Sequence, residues 1–332
     1  MTNLFVSILN WIYSWLGNYG WSVVVFTLLI RLILLPLDIK SKKSVRAMSK
    51  IQPKIQALQK KYANDKDKLN QKTMELYRKE KVSPMAGCLP MLISLPILWI
   101  MFSAMRTVGN QMTVEMILKM KETNALPALE GWLWIKNVFQ PDSFAASILP
   151  TVKSLAIVRA SGSLTAEMIT EATEYLQSAE YAALSSQLVP EGAFVAYKLN
   201  LFIFQPTLTL PTSFANLLNC ANGLFILPLL AGGSQLLMTE LMNGKQTKEQ
   251  KELQQAQQAD QSQTNPMNSP VMKWFFPLFS VWICATSNAV FAIYWMAANV
   301  IQIVQQLAVN WYFDRQDAKA AAAQATEEQS SL

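Results

Sequence analysis

The 332-residue sequence has no histidine, only three cysteines and few charged residues, which make up 15% of the chain. The cysteines, Cys88, Cys220 and Cys284, lack the spacing of a metal site or a redox pair, and we expect packing roles for them. The sequence also contains no zinc-ligand or phosphate-binding motif. We therefore expect neither an enzyme nor a protein that carries a metal or nucleotide cofactor.

Apolar residues form 52% of the chain and are concentrated in long, nearly uncharged runs. At about 1.5 Å per residue, a helix of about 20 residues crosses a hydrocarbon core of about 30 Å. The runs predict an all-α polytopic membrane protein, and residues 1–17 are typical of an external, interfacial amphipathic helix. The five predicted transmembrane spans are residues 18–38, 85–107, 221–241, 272–286 and 289–310.

The placement of the charges predicts the orientation in the membrane. Residues 39–83 carry fourteen Lys or Arg and four acids, whereas residues 108–215 carry six and nine. Because loops rich in Lys and Arg stay in the cytoplasm, a helical hairpin over 39–84 is predicted inside, and the loop over 108–220 outside. The N-terminus is then external. The remaining segments are predicted to be a cytoplasmic loop, residues 242–271, and a cytoplasmic tail, residues 311–332.

Arg31 is the single charge between Trp21 and Leu37. An Arg at mid-membrane costs roughly 2.5–3.5 kcal/mol, so its side chain should face a protein interior or a wet cavity. One interpretation is structural, with Arg31 bound to helix-end carbonyls or paired with Asp38. We favour a solvated functional arginine, because pairing across seven residues requires a bent, snorkelling geometry. No acid lies centrally in a predicted span, which argues against a proton-coupled pump.

Polar residues also recur along one face of the last predicted span. Trp295, Asn299, Gln302 and Gln306 are spaced by four, three and four residues, within about 40° of one helical face. Two interpretations stay open, because this face either lines a cavity with Arg31 or makes interhelical hydrogen bonds. The weaker candidates in other spans are Thr27, Ser94, Ser234, Gln235 and Thr239.

The basic hairpin has an apolar stripe at three- and four-residue spacing, formed by Met48, Ile51, Ile55, Leu58 and Tyr62. Its net charge of +10 (fourteen minus four) suits two kinds of partner. One is anionic lipid, and the other is a nucleic-acid-bearing particle such as a ribosome. The alternative is a solvated helix pair whose lysines only fix the topology.

Several of these stretches occur together in one known family. They are Phe26 to Leu37 around Arg31, Met48 to Pro53, Pro84 to Pro90, Leu133 to Ile135 with Pro141 and Asp142, and Tyr294 and Trp295 with Asn299, Gln305 and Gln306. In this order, over roughly residues 1–150 and 222–312, they make the chain resemble the YidC/Oxa/Alb membrane-protein insertases. The resemblance is to the Gram-positive-like form without a large periplasmic domain.

The resemblance implies a five-helix core around a hydrophilic groove that is open to the cytoplasm and to lipid, with Arg31 inside it. By the match of motifs, Gln235 and Trp295 line this groove. The further groove candidates are Asn299, Gln302, Thr27 and Ser94. The implied function is that of an insertase and chaperone for membrane proteins in the bacterial plasma membrane, with the hairpin as a mobile substrate-capturing element.

The implied partners are nascent membrane proteins, ribosomes, the Sec translocon, the signal-recognition-particle receptor and membrane lipids. No cofactor and no specific DNA binding are expected.

The sequence departs from the family in three places. An insertion at about residues 151–220 precedes the third predicted span, and Asn288-Ala289 stands where relatives often carry a proline. The tail after Asp314 is not basic, which weakens the expectation of ribosomal RNA binding. Two other functions stay open: a small-anion channel or transporter with Arg31 as its anion site, and an assembly scaffold organised around the insertion.

Overall fold

The structure of the chain is a computed structural model that describes residues 2–82, 89–198, 207–243 and 270–330. The chain divides into two compact units. The smaller unit is Leu29–Met101, and the larger unit comprises Met1–Leu28 together with Phe102–Leu332.

The described residues are mostly helical, as predicted. In chain order the elements are α1 (Thr2–Leu16), α2 (Tyr19–Lys61), α3 (Lys66–Lys79), α4 (Leu89–Thr123), α5 (Val152–Leu155), α6 (Ala166–Leu176), α7 (Ala179–Ser185), β1 (Phe194–Lys198), β2 (Thr207–Pro211), α8 (Phe214–Asn219), α9 (Ile226–Asn243), α10 (Pro270–Thr286) and α11 (Ala289–Ser330). The antiparallel pair of β1 and β2, which aligns Phe194 with Pro211, is the departure from the predicted all-α class. It lies within the predicted insertion, residues 151–220.

Two described helices are long and apolar enough to cross a membrane, Tyr19–Met48 and Ala289–Lys319. Ile226–Leu241 and Trp274–Thr286 are shorter apolar helices. Each of the four overlaps a predicted span. The second predicted span falls on the first part of α4, where the side chains up to residue 95 lie outside the described part of the chain. The number of spans and their orientation therefore remain predictions.

Two helices run past the predicted ends of their spans. α2 continues from the first predicted span into the hairpin, through Pro36 and Pro53, and ends at Lys61. α11 continues through the predicted tail to Ser330. Residues 311–330 are rich in Ala and Gln and contain no Gly or Pro, so no helix-stop signal follows the last span.

In the smaller unit, the hairpin is closed by capping and by one long-range ion pair. Ile51 and Ile55 of α2 and Leu69 of α3 are buried. The Asp65 carboxylate accepts the Lys68 N–H at 3.0 Å and so caps α3. Lys54 Nζ donates to Glu80 Oε1 at 2.6 Å, and this hydrogen bond, with the Lys54 charge, holds the pKa of Glu80 below its ordinary value.

In the larger unit, α9 packs against both α10 and α11. Gly232 permits the close crossing of α9 and α10, because a Cβ at this position would lie 2.5 Å from Val281 Cγ2 and 3.3 Å from the Pro277 carbonyl oxygen. A Cβ on the neighbouring Gly233 would meet no atom within 4 Å. Small residues at helix crossings in membrane proteins let two backbones approach closely.

We call residues 151–220 the insert domain, and their described part folds onto the C-terminal half of α4. Val114, Ile117 and Met120 of α4 contribute to its buried core. The core residues from the insert domain are Leu155, Val158, Leu164, Ala172, Tyr175, Leu176, Tyr181 and Leu184. Lys121 of α4 also pairs with Glu171 of α6 at 2.8 Å. The described residues of the predicted insertion therefore share one buried core with α4.

Candidate functional site

Arg31 lies on α2 in the smaller unit, and its side chain is half-buried. The next two side chains, Leu32 and Ile33, are exposed apolar groups. Asp38 and Lys42 both lie within electrostatic range of the Arg31 guanidinium. The structural interpretation, in which Arg31 interacts with Asp38, therefore gains support beside the functional one.

In the larger unit, two polar positions predicted in separate spans meet. Asn299 Nδ2 of α11 donates to Ser234 Oγ of α9 at 3.0 Å, and Ser234 Oγ donates in turn to the Ala231 carbonyl at 3.0 Å. Asn299 is buried. This is the interhelical hydrogen bond that was one of the two interpretations of the polar face on α11. It fixes the middle of α9 against the first third of α11.

The other candidate groove residues have different surroundings. The Trp295 ring lies 5.6 Å from the Phe291 ring, and its buried Nε1–H has no acceptor among the described residues. The buried Thr27 hydroxyl donates to the Val23 carbonyl at 2.6 Å, within its own helix. Gln235 and Gln302 are half-buried. The side chain of Ser94 lies outside the described residues.

The candidate residues are divided between the two units. Thr27, Gln235, Trp295, Asn299 and Gln302 belong to the larger unit, whereas Arg31 belongs to the smaller one. The larger unit thus joins α9 and α11 through Ser234 and Asn299. A groove shared with Arg31 remains a proposal.

The structure adds a buried carboxylate to which the sequence analysis gave no role. Asp142 Oδ2 accepts the Leu227 N–H at 2.6 Å and the Trp134 Nε1–H at 3.2 Å, and Oδ1 accepts the Phe225 N–H at 3.2 Å. Leu227 is in the first turn of α9. Asp142 therefore caps α9 and places negative charge at the positive end of its dipole.

Asn222 holds the loop that carries Asp142. Its side-chain Nδ2 donates to the carbonyls of Asn137 at 2.9 Å, Gln140 at 3.2 Å and Pro141 at 2.9 Å, and its Oδ1 accepts the Asn137 N–H at 2.8 Å. Asn137 and Asn222 are both buried. Because each partner is backbone, this asparagine fixes the path of the loop rather than one side chain.

The same loop also caps α11. The Gln140 carbonyl accepts the Ala289 N–H at 2.9 Å, and the Val138 carbonyl accepts the Val290 N–H at 3.0 Å. Asn288 completes the cap, since its Oδ1 accepts the Phe291 N–H at 3.0 Å and its Nδ2 donates to the Met105 carbonyl of α4 at 3.3 Å. Asn288, which stands where the resemblance leads us to expect a proline, therefore joins α11 to α4.

Asp142 and Asn222 together fix the starts of α9 and α11, the two helices that carry Ser234 and Asn299. The sequence offered one signal for this arrangement, the Pro141-Asp142 pair, but nothing in it identified Leu227 as the partner 85 residues away. No cluster of three or more His, Cys, Asp or Glu that could hold a metal occurs in the described ranges.

Apolar helices joined by buried polar contacts define the larger unit as part of a helical membrane protein. The sequence pattern of the family described as 60Kd inner membrane protein matches residues 11–316. This is most of the chain, which therefore belongs to that family. The resemblance seen in the sequence is confirmed.

Curated relatives from several bacteria carry the name Membrane protein insertase YidC. The protein from Fusobacterium nucleatum is 42% identical over 137 residues, which are 41% of this chain and 58% of the relative. The protein from Caldanaerobacter subterraneus is 46% identical over 100 residues, or 30% of this chain and 48% of the relative. The protein from Legionella pneumophila is 48% identical over 97 residues, which are 29% of this chain and 17% of the relative.

The chain thus covers less than two thirds of the length of each of these relatives. The family and its bacterial relatives imply a location in the bacterial inner membrane.

Proposed function

We propose that the protein is a membrane-protein insertase and chaperone. In this proposal, a polar tail or loop of a nascent membrane protein passes through a hydrophilic groove that contains Arg31, Gln235, Trp295, Asn299 and Gln302. The apolar helix of the substrate then leaves sideways into lipid. Relatives named as insertases support the proposal.

The physical reason for such a groove is the cost of desolvation. A polar segment in hydrocarbon leaves its peptide groups without hydrogen-bond partners, at a cost of several kcal/mol for each group. Polar side chains and water that reach part-way across the bilayer shorten the unsolvated distance. The apolar helix of the substrate supplies the free energy for its own release into lipid, so no nucleotide is consumed by this chain.

The observation that carries the proposal is Arg31 in an apolar helix. Its neighbours Leu32 and Ile33 are exposed, as lipid-facing residues are. A positive charge in such surroundings is costly, which supports a functional role for Arg31 beside its interaction with Asp38. In a medium of low dielectric constant, this charge attracts acidic substrate tails.

The partners belong to the same proposal. The hairpin of α2 and α3, with its net charge of +10, faces the cytoplasm and receives nascent chains from the ribosome. The Sec translocon and the signal-recognition-particle receptor are the further partners. The N-terminus is outside and the C-terminus is in the cytoplasm.

The test is insertion of a single-span substrate with a short acidic tail into liposomes that contain only this protein. Arg31→Ala is expected to abolish translocation of the tail, and Arg31→Lys to restore part of it. The matched control is Arg106→Ala, since Arg106 donates to the Ile157 carbonyl at 2.9 Å and belongs to the larger unit. Full activity of Arg31→Ala would reject the role of the arginine.

A second measurement tests the rest of the groove. Photo-crosslinking residues placed at Gln235 and Trp295 are expected to capture a stalled nascent chain, whereas one at the exposed Thr170 of the insert domain is not. Anion efflux from the same liposomes in the absence of any substrate would favour a channel or transporter instead.

A further inference from the structure

An uncharged surface of the larger unit lies beside the start of α9. From Leu199 to Thr239 the sequence contains no charged residue, although α9 begins only at Ile226. Six large apolar side chains in the described part of this stretch are exposed. Three of them precede α9: Phe214 (73%) and Leu218, one turn apart on α8, and Leu224 just before α9. Clustered exposed apolar groups of this kind mark a contact with a membrane or another protein.

The surface continues onto the turn between Trp132 and Ile135. Lys136 joins the two parts, because its Nζ donates to the Leu218 carbonyl and its N–H donates to the Asn222 carbonyl at 3.2 Å. Leu133, at the tip of the turn, is 63% exposed and has a φ of 50°, which is unusual for a leucine. The turn therefore holds an apolar side chain outward at a backbone cost.

Distances along α4 show which parts of the larger unit lie at the level where α11 begins and which lie far from it. Asn288, where α11 begins, contacts Met105 and Gly109 of α4. Lys121, which pairs with Glu171, stands twelve residues further on, or about 18 Å at 1.5 Å per residue. The acidic helix α6 is therefore far from the level at which α11 begins. The uncharged surface, by contrast, is attached to the start of α9, which the 137–142 loop holds at that same level.

We propose that the surface formed by Leu133, Phe214, Leu218 and Leu224 lies in the lipid headgroup region of the leaflet where α9 and α11 begin. It is continuous with α9, whose Leu229 and Leu230 are exposed as lipid-facing residues are. Its exposed side chains are apolar, so their contact with lipid is favourable and requires no charged group to lose its hydration. Lys136, the cation between its two parts, is complementary to lipid phosphate. The described part of the insert domain thus lies along the membrane, with the acidic helix α6 toward water. This placement does not depend on the insertase proposal.

The test is the accessibility of spin labels on the full chain in nanodiscs of phosphatidylcholine and phosphatidylglycerol. Labels are placed at Phe214→Cys and Leu218→Cys, with Thr170→Cys on α6 as the matched exposed control. The unsubstituted chain, treated in parallel, reports any labelling of the native cysteines. Power saturation compares collisions with oxygen, which is concentrated in lipid, and with a nickel chelate, which is confined to water.

The labels at 214 and 218 are expected to show an oxygen-to-nickel collision ratio several-fold higher than the label at 170. Equal ratios at all three positions would overturn the proposal. The surface would then be exposed to water in a nanodisc, where no protein partner competes with lipid for it. That outcome would leave a protein partner as the occupant of the surface. It would not affect the result of the Arg31 experiment.

Discussion

Asn299 of α11 donates a 3.0 Å hydrogen bond to Ser234 of α9, and Asn299 is buried. The two residues are 65 positions apart in sequence; Ser234 lies near the middle of α9, and Asn299 lies in the first third of α11. Because hydrogen bonds between apolar helices cannot be replaced by water, this bond sets how α9 and α11 pack together.

Removal of this bond is expected to destabilise the pair of helices. Asn299→Ala and Ser234→Ala should each lower stability in detergent by about 1 kcal/mol, and the double variant should lose less than the sum. A double-mutant cycle from thermal unfolding measures the coupling. Gln306→Ala is the control, since Gln306 donates to Asn310 within its own helix. Additive losses in the cycle would show that the bond contributes nothing.

The cap on α9 gives a second prediction. Asp142→Ala leaves the N–H groups of Leu227 and Phe225 and the indole N–H of Trp134 without their acceptor, which should cost about 1–3 kcal/mol. Asp142→Asn should cost less, because one oxygen acceptor remains. Thermal unfolding checks both, and Glu122→Ala, at an exposed position of α4, should have no effect. Equal stability of Asp142→Ala and the unsubstituted chain would contradict the capping role.

The sequence allowed the helices to be predicted, but not these contacts. Hydropathy and the apolar stripe that includes Ile51 and Ile55 are local signals. The apolar runs correspond to described helices, and Ile51 and Ile55 are buried. Asp142 and Leu227 are 85 residues apart, and no local periodicity connects them. The candidate site was likewise predicted only in part. The helical face of the last span predicted Asn299, whereas its partner Ser234 was one of several weaker candidates.

Two local features were missed for different reasons. The strand β2 alternates Thr207, Leu208, Thr209 and Leu210, a period of two that was available in the sequence. The extension of α11 to Ser330 follows from a missing stop signal rather than from any apolar stripe. A prediction based on hydropathy therefore ended the helix where the membrane ends.

The neighbouring glycines of α9 offer a matched pair. Gly232→Ala places a methyl group against Val281, a β-branched side chain with little freedom to move, and should weaken the crossing of α9 and α10. Gly233→Ala meets open space and should be neutral or gain up to about 1 kcal/mol from helix propensity. Thermal unfolding in detergent compares the two. Equal melting temperatures of the two variants would show that α10 moves to accept the methyl group without loss of stability.

The hairpin should respond to acid. Because the Lys54 contact lowers the pKa of Glu80, the pair contributes stability above the ordinary pKa of the carboxyl, near 4.5, and loses it as the pH falls through the lowered value. Distances between spin labels at Ala57 of α2 and Met74 of α3 should therefore broaden only at pH values below that ordinary pKa. Glu80→Gln should give the broader distribution already at neutral pH. A distribution in the unsubstituted chain that does not change with pH would contradict the prediction.

The insert domain should be removable without loss of insertion activity. Its two ends meet, because the Ile148 N–H donates to the Cys220 carbonyl at 3.0 Å and Ser147 pairs with Ala221. A short Gly-Ser linker in place of residues 152–218 can therefore close the chain. The deletion exposes Val114, Ile117 and Met120 of α4, which must be replaced by polar residues to avoid aggregation.

The deleted chain with polar α4 residues is expected to insert the acidic-tailed substrate at the rate of the full chain, because Arg31, Ser234 and Asn299 are untouched. The same deletion with the native α4 residues is the control, and it should aggregate. A folded, monodisperse deletion variant that has lost insertion would instead assign the function to the insert domain and support the assembly scaffold. Since the starts of α9 and α11 are held by Asp142, Asn222 and Asn288, all outside the deleted residues, loss of insertion would not follow from loss of the caps.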